Sequence, residues 1–411
     1  MPLKVFLPQG SIPSRAFCYH QNMNVPALVT EARLRPALAL IRALGRAGFP
    51  VWAAEDPSYP PSAILGFHSR YTRRSLFSPS PGDAAAYRAF LQKLSGEGPL
   101  VWLPGGLPTM TLAVAWQGTL PGIYMAVPGK EAFHTASDKE ALYHLALSLD
   151  IPLPRTFLPP EGRDLPSWSR SLPYPLVVKY RHGEALGLSA PERYRIVRTP
   201  EELVAAYRAM DRQQERPLVQ EYLTGPGLGY SALLDGGGRV LAAVAHRRIR
   251  QYPWQGGPSS LAVTLRDPRL AALSRKLLGA LGWKGIAMVE WKADEKGEPR
   301  LLEINPRPWG TMALAQAAGV PLAERWYRLA LGETDGLEEV EAPPGVRLRF
   351  LFHDFLSVRQ GIGLGEAPRG LYWEFLRDVV RRQAAEGVWC REDPRPFWAY
   401  LRRSLRGMMS R

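Results

Sequence analysis

Residues 284–308 read KGIAMVEWKADEKGEPRLLEINPRP. Two apolar runs flank DEKGEP, so the segment predicts a β-hairpin, with Gly297 supplying the positive φ that tight turns need. A turn centred between Lys296 and Gly297 places Glu290 directly across from Glu303, since both lie equally far from that centre. Residues so opposed have Cβ atoms about 4.5–5.5 Å apart. Both carboxylates would sit among Met288, Val289, Leu302 and Ile304. Like charges at that distance repel, and burial raises the cost of each. A cation between them removes the conflict. Period-two alternation extends the same face to Asn305 and Arg307. Two carboxylates and an amide oxygen are hard donors suited to magnesium, which takes few protein ligands and completes its shell with water and phosphate oxygens. Manganese accepts the same donors. Pro306 and Pro308 stiffen the exit and aim Arg307 at a phosphate or a carboxylate. The plainer alternative is a solvent-facing Glu pair on an edge hairpin.

Outward from the hairpin the chain divides into three segments. The first, 1–125, alternates strands and helices: Ala27-Leu28-Val29, a helix in RLRPALALIRALGRAG (33–48), a strand in FPVWAAE (49–55), a helix in DAAAYRAFLQKLSGEG (83–98), and a strand in PLVWLP (99–104) before the Gly105-Gly106 turn. That order predicts a parallel sheet with binding at the strand ends. The second segment, 126–334, opens with SDKEALYHLALSLDI (137–151), an amphipathic helix with Ser137 and Asp138 as N-cap candidates. The strands PLVVKY (175–180) and RYRIVRT (193–199) flank a glycine-bearing loop, RHGEALGLSA (181–190), and the helix PEELVAAYRAM (200–210) follows. RPLVQEYL (216–223), GYSALLD (229–235) and RVLAAVAHRRI (239–249) read as strands, RLAALSRKLLGALGW (269–283) and TMALAQAAGV (311–320) as helices. Alternation predicts Arg248 and Arg250 on one face, with GGPSS (256–260) as a mobile loop beyond them, and His246 as a structural histidine. The third segment, 335–411, is a tail with helices in GLYWEFLRDVVRRQAAEG (370–387) and PFWAYLRRSLRG (396–407). GIGLG (361–365) follows no strand and is not a dinucleotide fingerprint.

The 411 residues suffice for two or three domains. The 52 Lys and Arg exceed the 38 Asp and Glu, giving a net charge of +14. Such a field favours anionic partners, but no zinc-finger or RNA-binding signature accompanies it, so nucleic acid is not expected. The arginine-rich tail leaves open a weak contact with an anionic membrane surface. No apolar run of 18 or more residues occurs, and Met1–Gln9 lacks the form of a secretory signal, which predicts a cytoplasmic protein. The only cysteines, Cys18 and Cys390, read as two free thiols.

The hairpin, with LLEINPRPWGTMALAQAAGVPL (301–322) and the basic RRIRQYPWQGGPSS (247–260), resembles the ATP-grasp superfamily. Within it the sequence is most similar to the carboxylate–amine ligase group that includes D-aspartate ligase and is related to carbamoyl-phosphate synthase large chains. The resemblance is strongest over 176–330. It implies an α/β fold: an N-terminal parallel-sheet domain (1–125), a two-lobed ATP-grasp domain (lobes 126–216 and 217–334) and a helical C-terminal extension (335–411). It implies an ADP-forming ligase that activates a small carboxylate as an acyl phosphate for attack by an amine, using ATP and magnesium. Lys139 and Lys179 match the phosphate-binding lysines. Gln220, Glu221, Tyr222 and Leu223 match the adenine-contacting linker. Glu290, Glu303 and Asn305 match the metal ligands. Arg307, and more weakly Arg248, match arginines at the transferred phosphoryl and the substrate. Where relatives carry an acidic ribose contact this chain has TGPGLGYS (224–231). A phosphotransferase, a carbamate-phosphorylating enzyme and a non-catalytic nucleotide-binding module are the competing readings.

Overall fold

The computed structural model describes residues 25–159, 164–183, 186–188 and 192–409, with side chains to residue 404. Cys18 and positions 184, 185, 189 and 190 of the loop therefore lie outside the described residues, and Cys390 is a free thiol.

The first sheet is parallel, in the order β3-β2-β1-β4-β5. Its strands are β1 (Ala27–Val29), β2 (Val51–Glu55), β3 (Thr72–Phe77), β4 (Leu100–Leu103) and β5 (Ile123–Tyr124). β1 and β4 are buried throughout, as apolar strands covered on both faces must be. Helices Arg35–Arg46 and Ala84–Gly96 make the crossovers. Strand order reverses at β1 and β4, and Leu107, just beyond the carboxyl end of β4, lines the cleft described below.

A small antiparallel sheet follows, in the order β6-β9-β7-β8. Its strands are β6 (Thr156–Phe157), β7 (Leu176–Lys179), β8 (Tyr194–Val197) and β9 (Leu218–Glu221). Helix Pro200–Asp211, capped by Thr199, covers it through Leu203 and Tyr207.

The large sheet contains β10 (Gly227–Asp235), β11 (Val240–Gln251), β12 (Ser259–Thr264), β13 (Lys284–Ala293), β14 (Pro299–Asn305), β15 (Val340–Glu341), β16 (Arg347–Arg349) and β17 (Ala385–Glu386). Its order is β14-β13-β10-β11-β12-β16-β17, with β15 on β11. One face packs Leu142 of helix Lys139–Ser148, Leu277 of helix Pro268–Ala280, Trp283 from the turn before β13 and Trp291 of β13 itself. The other face joins Trp326 and Tyr327 of helix Leu322–Ala330 to the core of the first sheet.

The tail is not only helical: β15, β16 and β17 extend the large sheet. Helix Leu351–Gly363 was not legible because the glycines of GIGLG mask its end. It is fastened by Arg250, whose Nε and Nη2 donate to Asp354 at 2.7 and 2.8 Å in the interior. Arg42 of helix Arg35–Arg46 likewise donates to Asp393 Oδ2 at 2.9 Å, so the tail returns to the layer over the first sheet. Among the described residues no helix is long and apolar enough to cross a membrane.

Candidate active site

β9 belongs to the small sheet and β10 to the large one, so the chain crosses between the sheets at 222–226. The cleft there holds about 530 Å³ and is lined by every residue that the resemblance assigns to the site: Lys139, Lys179, Gln220 to Leu223, Arg248, Glu290, Glu303, Asn305 and Arg307.

The hairpin forms its floor. Glu290 pairs with Glu303 and Met288 with Asn305, the register the sequence predicts at this end. Toward the turn the register slips by one, with Trp291 opposite Leu301. Leu302 is the extra residue of a bulge, so the turn centre lies one half-residue from the expected position. Asp294 organises that turn, its Oδ1 accepting from the N–H groups of Lys296 and Glu298 at 2.9 Å, and Gly297 adopts φ 82°. The bulge breaks alternation on β14 just before Glu303 and leaves Glu303 and Asn305 in the cleft.

Each opposed carboxylate has a cation. Lys139 Nζ lies 2.8 Å from Glu303 Oε2, and Arg248 Nη2 lies 2.9 Å from Glu290 Oε1. Asn305 Nδ2 donates to Glu290 Oε2 at 3.4 Å. Rotation of that amide turns Oδ1 to the same point. Burial acts to raise the Glu303 carboxyl, but the ammonium of Lys139, with Lys179 and Arg307, holds it below the usual carboxylate range. About a third of the Glu303 side chain (32%) stays open to the cleft.

Lys139 follows Asp138, which caps helix Lys139–Ser148 by accepting from the N–H of Glu140 at 2.8 Å. Lys179 ends β7 on the facing wall. Its Nζ donates to Tyr143 Oη at 2.8 Å, and that hydroxyl lies 3.0 Å from the carbonyl of Leu302. Burial, and then the charge of Lys139, pull the Lys179 ammonium down to about 7. Two lysines thus face one carboxylate, and the cleft is short of negative charge.

Gln220 donates through Nε2 to Thr156 Oγ1 at 2.8 Å. Glu221 is engaged by Arg155, whose Nε donates at 2.8 Å and backbone N–H at 2.9 Å. Tyr222 and Leu223 line the cleft beyond them. Arg307 Nη1 donates to the carbonyl of Pro308 at 3.0 Å.

Two expectations fail here. Arg248 and Arg250 do not share a face. Arg248 pairs with Ala262 and Arg250 with Leu261, so Ile249 is a bulge and the arginines point to opposite sides of the sheet. Arg248 Nε meets Ser259 Oγ at 3.1 Å in the cleft, while Arg250 is spent on Asp354. Nor is GGPSS a loop throughout, because Ser259 and Ser260 begin β12 and are buried. His246 is a buried ring that burial brings down to about 4, packed so close to Gly229 that a Cβ there would lie 2.4 Å from Cε1.

Lys292 in the cleft wall and Tyr143 buried behind Lys179 escaped the sequence reading. Lys292 lies two positions after Glu290, so alternation alone would have found it. Its Nζ sits 5.4 Å from the centroid of the Tyr222 ring. Tyr143, which holds Lys179, is one helical turn from Lys139 on the same face.

The chain is similar in sequence and in fold to proteins of known activity. A family model described as "ATP-grasp in the biosynthetic pathway with Ter operon" matches residues 213–351. D-alanine–D-alanine ligase of Pseudomonas entomophila is 27% identical over 216 residues, covering 50% of this chain and 64% of the ligase. The chain thus spans somewhat under two thirds of the ligases it matches. The carbamoyl phosphate synthase large chain of Methanoculleus marisnigri is 24% identical over 233 residues, 54% of this chain and 22% of that one. Two solved structures share the fold. The biotin carboxylase domain of the Hydrogenobacter thermophilus 2-oxoglutarate carboxylase, in complex with MgADP, ADP and bicarbonate, superposes with a TM-score of 0.60 at 17% identity, covering 78% of this chain and 73% of that one. The L-amino acid ligase of Bacillus licheniformis does so with a TM-score of 0.55 at 17% identity, covering 79% and 78%. Over residues 213–351 the chain thus matches an ATP-grasp family model, and it resembles the carboxylate–amine ligases of that superfamily.

Proposed function

We propose that this protein is an ADP-forming ligase that phosphorylates a small carboxylate with MgATP and passes the acyl group to an amine. The observation that carries the reading is the Glu290–Glu303 pair, opposed on the cleft floor beneath the ammonium groups of Lys139 and Lys179. The donor set fits magnesium: two carboxylates, both now neutralised by cationic side chains, and an amide that reaches the same point. Glu290, Glu303 and Asn305 would hold the ion. When bound, it supplies charge neutralisation at the terminal phosphates.

The protein's own part is positioning and charge. The linker Glu221–Leu223 offers backbone groups to adenine. Lys179, and Lys139 on release from Glu303, face the phosphates. A substrate carboxylate oxygen attacks the γ-phosphorus, the bond to the β-phosphate oxygen breaks, and ADP departs. The amine nitrogen then attacks the acyl carbon and loses its proton. Arg307 and Arg248 stabilise the developing oxyanion, and the carbon–phosphate oxygen bond breaks to release phosphate. No enzyme nucleophile takes part.

The full chain, supplied with MgATP, hydroxylamine and candidate acids in turn, is expected to give ADP together with an acyl hydroxamate for its own acid. ADP without hydroxamate for every acid would favour a phosphotransferase. Failure to bind nucleotide would overturn both enzymic readings.

A further inference from the structure

Beside the cleft, Arg33, Arg35 and Arg403 converge where helix Arg35–Arg46 begins and helix Arg395–Met409 packs on the turns at Pro61–Ala63 and Leu65–His68. Arg403 Nη1 donates to the carbonyl of Arg33 at 3.1 Å. The Arg35 guanidinium lies 4.1 Å over the Phe350 ring, and its Nη1 is 3.3 Å from His353 Nδ1. Only Arg33 has a carboxylate partner, Glu55 at 2.8 Å. Among the described residues Arg35 and Arg403 form no ion pair. His353 gives no compensation: burial, then Arg35 and Arg403, bring its ring down to about 3, so it is neutral. Glu386, the other acidic group near Arg35, accepts from the Leu351 N–H at 3.0 Å, and burial pushes it up to about 7.

Partly buried like charges are costly where the nearby carboxylates, Glu55 and Glu386, are held by Arg33 and by the Leu351 N–H and pair with neither Arg35 nor Arg403, and two guanidinium forks match a carboxylate. The cluster also adjoins the cleft. A Cβ on Gly310 would lie 3.9 Å from Arg35 Nη2 and 3.8 Å from Pro258 Cβ, and both Gly310 and Pro258 line the cleft. Gly310 is three residues beyond Arg307, a Cα separation of at most about 10 Å.

We propose that Arg35 and Arg403 bind a carboxylate that does not react, carried by a substrate whose reacting end lies near Arg307. The substrate class is thus a small molecule with a second carboxylate a few bonds from the first reacting group, and the C-terminal helix completes its pocket. The substrate role rests on the ligase reading; the anion site does not.

Calorimetric titration of the full chain with succinate, in the presence of MgADP, tests it. Succinate is expected to bind at least tenfold more tightly than its monoamide, succinamate. Arg35→Gln should abolish that preference while the Kd for MgADP stays within twofold. Arg403→Gln, a second variant in case the first does not fold, should reduce the preference at least threefold. Equal binding of succinate and succinamate by the wild type would overturn the proposal, as would an unchanged preference in the variants. Inorganic phosphate bound by these arginines in place of succinate would overturn the carboxylate assignment. If the wild type binds no MgADP, the nucleotide reading fails, and the same titrations without nucleotide still decide the anion site.

Discussion

Glu303→Gln is expected to lower ATP-dependent turnover by at least about a hundredfold, the scale of losing one preorganised electrostatic contact at a phosphoryl centre. The substitution keeps shape and hydrogen-bonding capacity and removes one negative charge. Glu303 is one of only two carboxylates on the cleft floor, with Lys139, Lys179 and Arg307 around it. With one carboxylate left, the floor holds a divalent ion poorly, so half-saturating magnesium should rise. The fold should remain, with a melting temperature a few degrees lower, because Lys139 loses its charged partner 2.8 Å away. ADP release at several magnesium concentrations, with a thermal melt, checks all three. Turnover equal to wild type would remove Glu303 from the metal site.

Lys179→Met is expected to move stability the other way. Its folded value of about 7 lies below the ordinary 10.5, chiefly through burial and then through Lys139. The sign follows from proton counting. Below pH 7 both folded and unfolded chains carry the charge, and the fold bears the whole cost of burying it. Between pH 7 and 10.5 the unfolded chain holds a proton that the folded chain has released, so stability rises with pH and the cost fades. Removing the ammonium should therefore raise the melting temperature, more at pH 6 than at pH 10. Affinity for MgATP should fall about a hundredfold, because the phosphates lose a desolvated cation. Phosphate binding favours the ammonium, so the wild type should take up a proton on binding MgATP near pH 8, and affinity should fall as pH rises above 7. Calorimetry in two buffers of different ionisation enthalpy reads that proton. Its absence would mean that Lys179 does not meet the phosphates.

The hairpin was legible because its signals agree. Turn chemistry, alternation and two carboxylates equidistant from a centre between Lys296 and Gly297 all demand one register, and the structure has it at Glu290 and Glu303. β1, β2 and β4 were equally plain, being apolar runs bounded by turn residues. Two of the misses share one cause, which is that bulges are not written in local composition. Leu302 shifts the turn, and Ile249 sends Arg250 away from Arg248 into an ion pair with Asp354, 104 positions along the chain. β3, with the sequence TRRSLF, carries two arginines on an edge of its sheet and gives no hydrophobic run to detect. β15 to β17 are too short to announce themselves and exist because the large sheet offers free edges.

The most direct measurement is a crystal structure of the full chain with magnesium and a non-hydrolysable ATP analogue. A metal ion about 2.0–2.1 Å from oxygens of both Glu290 and Glu303 is expected, touching the terminal phosphates, with Lys139 and Arg248 turned from those carboxylates. Nucleotide and metal bound while Glu303 remains on Lys139 and Glu290 on Arg248 would contradict it.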